Sequence, residues 1–412
     1  MNSVFSRERA VSLNAGALFL VLVLLIATPV RSHIVIALVM LYALAYLVVH
    51  RASLAVNRFD WAVIGLISLY LVSQLPAFVL ADFESRYLSA PLHMVASIPV
   101  YLMLRHAAPA ISLGQYRRWL EGGAVIGSLG GALLALYQTQ WLGWHRADGF
   151  LFSINFGYLA CALAFICAAL MRGSTHKAWL LLGALAATLS VILTLTRGAI
   201  LAVPLLLGWL LVLNADRLGW HRLIATGVAF LMLVFGSYFI LPTVQDRVDY
   251  TILEFSKIIR HDFSGTSSGG RIELWTSAIR AFIERPLIGL TYNEREALNA
   301  TLVDQGALTE WVLTVSRSHA HSQYFEMLAT GGGLGIVALL GYLVAPGLYQ
   351  FRLYRQDRSN TYALTGLLFT SGFGIYGLTE VALQHEMIAA FYAYVQVTLL
   401  VLALKHRETR AA

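Results

Sequence analysis

The chain has 412 residues, of which 58% are hydrophobic and 12% charged, with a mean hydropathy of +0.69 and a formal net charge of +7. That composition excludes an ordinary soluble domain and a disordered chain, and it defines a polytopic membrane protein. The positive balance calls for no nucleic acid, because loop topology and attraction to lipid headgroups account for it.

Crossing a bilayer as a helix takes about 20 mostly apolar residues. Such runs recur at 12–30, 33–49, 61–80, 88–104, 122–141, 150–171, 178–196, 199–213, 223–241, 322–349, 362–383 and 387–404. They lack the alternation of barrel strands, and backbone in lipid must satisfy its own hydrogen bonds. The expectation is an all-α polytopic fold with about 12 transmembrane helices. The first run follows Arg7 and Arg9 as a secretory signal would. Thr28, Pro29, Val30 and Arg31 make a poor small-residue cleavage site, however, and another span follows at once, so it is read as an uncleaved helix.

Orientation follows from Lys and Arg in the short loops. Seventeen fall on the side that holds both termini, among them Arg51, Arg117, Arg172 and Arg355, against four on the other, namely Arg31, Arg86, Arg146 and Arg197. Both termini are therefore expected in the cytoplasm. Cys161 and Cys167 sit six apart in one apolar run and carry no functional signal.

Only one loop is long, from Pro242 to about Ala320, and the parity of the spans puts it outside. The expected organisation is spans one to nine over 1–241, a loop domain over 242–320 and spans ten to twelve over 321–412, all within one integral domain. Val248, Ile252, Phe255 and Ile259 recur at helical spacing, and so do Ile272, Trp275, Ile279 and Phe282 before Pro286. Two amphipathic helices are expected, lying on the membrane surface or capping the bundle. Between them SGTSSGGR, residues 264–271, puts Arg271 at the first turn of a helix. Free backbone N–H groups and a guanidinium there suit a phosphate, while a plain linker reads the same way.

Two polar features lie where membrane helices begin. Arg197 in LTLTRGAILAV joins two apolar spans with almost no loop, on the side poor in positive charge. Arginine at that depth is costly and usually paired or functional, which favours an anionic headgroup or lipid phosphate over a snorkelling side chain. In SRSHAHSQYFEMLATGGGLG, residues 316–335, the outer loop re-enters the membrane through Arg317, His319, His321, Ser322 and Gln323. A neutral imidazole, titrating near 6.5, can take a proton from a hydroxyl at neutral pH. Asp82, Glu84 and Arg86 are read as a solvated turn with substrate binding as the alternative, and Glu380 and Asn155 as hydrogen-bonded within the bundle. There is no GxxxxGK[ST], HExxH or CxxC motif, so no cofactor and no metal is expected.

A transfer reaction outside the membrane has no ATP and needs a donor activated beforehand. Lipid-diphosphate sugars meet that need, with two arginines on the leaving diphosphate and His321 deprotonating the attacking hydroxyl.

HSQYFEMLATGGGLG resembles the H-[NSQ]-x9-G-x-x-G pattern of the O-antigen ligases, with His321, Ser322, Gly332 and Gly335 in place. RGAIL from Arg197 resembles that family's R-x3-L, and GGRIELW with RPLIGL resembles a segment shared by the superfamily of O-antigen ligases and polymerases. The resemblance implies a bacterial inner-membrane glycosyltransferase that moves O-antigen polysaccharide from undecaprenyl diphosphate to lipid A-core at the periplasmic face, without a metal. It further implies His321 as the general base and Arg197 and Arg271 as the diphosphate ligands. His319, Arg317, Ser322 and Gln323 are left as supporting or acceptor-contacting residues. O-antigen polymerases and protein O-oligosaccharyltransferases share the superfamily, and a lipid-linked glycan transporter is the alternative from another class. One large outer loop, and a chain that stops soon after its last span, favour the ligase.

Overall fold

The computed structural model describes residues 4–29, 31–215, 242–260 and 266–411, with scattered positions between 219 and 239. The expected span at 223–241 lies largely outside the described residues, as do Ser264 and Gly265. Among the described residues all regular structure is helical.

Six helices are long and apolar enough to cross a membrane, namely Arg31–Ser53, Arg58–Leu80, Leu113–Trp141, Phe152–Leu170, Gln323–Gln356 and Glu386–Arg410. This is a multi-pass membrane protein. Lys177–Leu193 and Arg197–Leu213 are apolar too, but each has only 17 residues. Other expected spans depart from a single long helix for local reasons. The run at 88–104 divides into Ser89–Val95 and Ile98–His106. Pro99 has no N–H to give the preceding turn, so it sits where a new helix starts. The run at 362–383 is helical only over Thr361–Tyr376, and the chain then turns through Gly377 to Val381 before Glu386–Ala411 begins.

Glu386–Ala411 and Phe152–Leu170 form the buried centre of the bundle. Polar ties cross it at one level: Asn14 Nδ2 donates to the Tyr116 hydroxyl at 3.2 Å, and the Tyr394 hydroxyl donates to Asn14 Oδ1 at 3.2 Å. In a core this apolar, such paired groups fix which helix faces which.

Both expected amphipathic helices are present, as Pro242–Ile259 and Ser267–Glu284. On the first, Ile252, Phe255 and Ile259 are 61%, 62% and 77% exposed, together an apolar stripe. The second buries Gly270, Leu274, Ser277, Ala278 and Ala281 instead of its Ile and Phe positions. At Gly270 a Cβ would strike the Trp311 ring, so only a residue without one lets that ring come close. A third helix, Tyr292–Asp304, opens on a reciprocal cap in which Thr291 and Glu294 bond each other's backbone.

Candidate functional site

Ser318 to Ser322 bridge the loop helices and the membrane helix Gln323–Leu339, and three residues in and beside that passage are left-handed: Arg317, Ser318 and His321, at φ 60°, 50° and 44°. Left-handed backbone is uncommon for residues with side chains and persists where the surroundings over-determine it. Here they do. Arg295 and Glu326 form a fully buried ion pair at 2.8 Å, Arg295 also donates to Ser318 O, and Glu326 Oε2 accepts the Ala320 N–H at 2.8 Å. From the other side Trp275 Nε1 donates to Ala320 O at 3.0 Å, its ring stacked on Phe325.

So held, His321 Nδ1 lies 3.3 Å from Glu380 Oε2, and His319 Nε2 lies 3.6 Å from Glu380 Oε1. The His321 N–H also donates to His319 Nδ1 at 3.3 Å. Burial, the dominant effect on His319, pushes its pKa down and keeps the ring neutral. Burial pushes the Glu380 carboxyl up, but the His321 hydrogen bond and the two imidazoles outweigh it and hold the group below its usual range. A carboxylate at Nδ1 requires the N–H there and leaves Nε2 with its lone pair. The ligand atoms of His319, His321 and Glu380 all lie within 4.8 Å of one another, close enough for a metal ion to bridge as well.

Ser322 and Gln323 are buried and bond the 377–383 turn: the Ser322 hydroxyl donates to Gly377 O at 3.1 Å, and Gln323 Oε1 accepts the Leu383 N–H at 3.1 Å. They fix the turn that carries Glu380. Arg317 is exposed and lines a separate cleft.

Arg197 starts its helix and pairs with Glu254, a fully buried carboxylate on Pro242–Ile259. Glu254 Oε1 also accepts the Ser267 and Ser268 N–H groups at 2.9 and 3.3 Å, and its Oε2 accepts the Ser268 hydroxyl at 2.9 Å. Burial raises the Glu254 pKa, but Arg197 and Ser268 outweigh it and keep the group ionised. At the helix start where the sequence suggested a phosphate, the chain's own Glu254 carboxylate takes the backbone N–H groups. Arg271 does not stand in the first turn, as the sequence suggested, but one turn further in, because Thr266 caps the helix and Ser267 begins it. It is half-buried and makes no hydrogen bond or ion pair among the described residues. Ser268, one turn before it, receives an Arg197 hydrogen bond at 3.3 Å, so the two arginines are neighbours.

Tyr158 lies between Arg271 and the turn that carries Glu380. Its hydroxyl bonds Thr379 at 2.6 Å, and Glu380 and Arg271 both act on it electrostatically. Gly198 faces the same hydroxyl so closely that a Cβ would collide with it and with Thr379. A second seam braces the floor. Gly332 breaks its helix at φ 55°, and a Cβ there would lie 2.6 Å from Pro286 O. Gly333 N–H then donates to Pro286 O at 2.8 Å, and Leu290 N–H to Ala329 O at 2.8 Å, so RPLIGL lies along the glycine run.

Sequence reasoning missed Glu380 as a partner of His321, and it missed Tyr158, Glu254, Arg295 and Glu326. The T-x-x-E at Thr291 was a legible signal for the helix that carries Arg295. The others touch residues far away in sequence and leave no local trace.

A family model described as O-antigen ligase matches residues 182–340, which includes Arg197, Arg271, His321 and Gly332. An uncharacterized protein of Haemophilus influenzae is similar, at 22% identity over 269 residues, covering 63% of this chain and 67% of that protein.

Proposed function

We propose that this chain, which belongs to the O-antigen ligase and polymerase superfamily, is an O-antigen ligase of the bacterial inner membrane, acting at the periplasmic face with both termini in the cytoplasm. Its donor is polysaccharide on undecaprenyl diphosphate and its acceptor a sugar hydroxyl of lipid A-core. Supporting the reading above all is the pairing of His321 with Glu380, together with an arginine, Arg197, that already holds a carboxylate, Glu254.

In the reaction His321 Nε2 takes the proton of the acceptor hydroxyl, whose oxygen attacks the anomeric carbon as the bond from that carbon to the diphosphate oxygen breaks. A single displacement inverts the anomeric centre. Glu380 steadies the imidazolium that forms, as the carboxylate does in hydrolase triads. Arg197 and Arg271 take up the charge growing on the diphosphate through charge-assisted hydrogen bonds, worth about 1.5–3 kcal/mol each. His319 sets the His321 backbone, and Ser322 and Gln323 hold the Glu380 turn.

The test uses a host lacking the gene, complemented with wild type or His321→Ala, with lipopolysaccharide and lipid-linked sugars both resolved on gels. Bare lipid A-core with polymer retained on the carrier is expected for the variant. Loss of long chains alone, with single repeats still reaching lipid A-core, makes the protein a polymerase. An unchanged pattern removes the base role of His321.

A further inference from the structure

A cleft of about 520 Å³ opens beside the site, within the range of about 300–1,000 Å³ typical of small-molecule sites. Its walls include Arg86, Tyr292, Arg317, Gln384, His385 and Glu386. The 85–91 segment and the start of Glu386–Ala411 thus face each other across it.

The cleft is built for an anion. The Arg86 guanidinium is held 5.0 Å over the Tyr292 ring and pairs at 2.5 Å with Glu84, yet its Nε is buried without a partner. Arg317 reaches the same space from left-handed backbone that is fixed by its N–H bond to Glu296 at 2.9 Å, and its guanidinium has no ion pair among the described residues. Among the described residues of the lining Glu386 is the one carboxylate, against two guanidiniums, of which Arg86 is paired with Glu84 and Arg317 has no ion pair.

The wall of the cleft is also wired to the histidines. Gln384 Nε2 donates to the Tyr292 hydroxyl at 2.9 Å and to Glu326 Oε1 at 3.2 Å, and Glu326 Oε2 holds the N–H of Ala320, the residue before His321. Arg271 acts on Tyr158, whose hydroxyl bonds Thr379 next to Glu380, whereas the cleft approaches the histidines through Gln384 and Arg317. A transferase with two substrates and one base needs two such approaches.

We propose that this cleft is the acceptor subsite and that it takes a phosphorylated sugar of the acceptor glycolipid. The assignment rests on the ligase reading for the identity of the acceptor. Arg86 and Arg317 hold the anionic group and so present the neighbouring hydroxyl to His321.

The experiment measures binding of purified lipid A-core to the full chain in detergent, without donor, before and after phosphatase treatment of the probe. Arg86→Gln and Arg317→Gln are each expected to weaken binding of the phosphorylated probe about tenfold, consistent with loss of one charge-assisted contact. The phosphatase-treated probe should bind wild type just as weakly and be indifferent to either substitution, while undecaprenyl diphosphate binds all three proteins alike. Failure of wild type to bind lipid A-core, unchanged binding by both variants, or an equal loss of undecaprenyl diphosphate overturns the subsite. A parallel transfer assay separates the two ideas. Phosphate-dependent binding without any transfer to lipid A-core removes the ligase reading and keeps the cleft as a phosphorylated-sugar site. Transfer with an unaltered acceptor KM in both variants does the reverse.

Discussion

His321 Nδ1 lies 3.3 Å from Glu380 Oε2 across 59 positions of sequence, and this contact fixes which imidazole nitrogen carries the proton. Glu380→Gln keeps the shape of the side chain but removes the charge that steadies an imidazolium. With kcat measured at saturating donor and acceptor, a fall on the order of 10- to 100-fold is expected with little change in either KM, smaller than the 100- to 10,000-fold loss for His321→Ala. Equal kcat for Glu380→Gln and wild type would show that His321 works without the carboxylate.

Glu254 fills the anion seat between Arg197 and the first turn of Ser267–Glu284. A diphosphate bound there has to displace it, and an internal competitor lowers the apparent affinity by the fraction of time the seat is taken. Glu254→Gln removes the competing charge. Binding of undecaprenyl diphosphate should therefore tighten about three- to tenfold. Weaker binding would instead make Glu254 a strut that holds the arginine in place.

Much of this could be read from the sequence, for reasons that differ residue by residue. Arg197 and His321 stood out because polar groups at membrane boundaries are expensive, and Ile252, Phe255 and Ile259 marked their helix by period alone. Gly332 was visible as a motif, yet its cause, the close approach of Pro286, needed the fold. Glu380 looked like any polar residue at a helix end, because the turn that aims it begins where Thr361–Tyr376 stops. Ile272 and Phe282 marked their helix but not the face that packs: periodicity reports where bulky apolar residues lie, and Ser267–Glu284 packs chiefly through its small ones.

His319, His321 and Glu380 lie close enough for three of the ligands of a catalytic zinc, so the metal-free mechanism makes a direct claim. If guanidiniums carry the diphosphate charge and Nε2 of His321 takes the proton, prolonged dialysis against EDTA leaves the transfer rate unchanged. A loss reversed by one particular divalent cation would assign the histidines to a metal.

Acid should loosen this corner before it loosens the rest. Burial depresses the His319 pKa, and Glu326 and Glu380 pull it up without reversing that. Between that depressed value and about 6.5 the unfolded chain binds a proton that the folded chain refuses, so stability drops as pH falls through this window. Glu380, also depressed, contributes stability above the ordinary carboxylate range and gives it up only at lower pH. Thermal unfolding in detergent at pH 7.5 and 5.5 should show a larger drop in Tm for wild type than for His319→Gln. Parallel drops would place the acid sensitivity elsewhere.

The buried Arg295–Glu326 pair separates stability from function. Both side chains are fully buried, so Arg295→Met strands the Glu326 charge and should cost about 3–5 kcal/mol, read as a lower Tm and poor yield. Replacing both partners, as in Arg295→Met with Glu326→Leu, leaves no stranded charge and should recover most of that stability, because apolar replacements of buried pairs are often neutral. Activity should not return with it. Glu326 also holds the Ala320 N–H and Gln384, and Arg295 holds Ser318 O, so without them the left-handed backbone at His321 keeps only its Trp275 and Gly377 supports. A double variant with near-native Tm and transfer depressed at least tenfold is the expected result, in line with the cost of displacing a catalytic group by about an ångström. Restored transfer would mean that the histidine segment is positioned by Trp275 and the Gly377 turn alone.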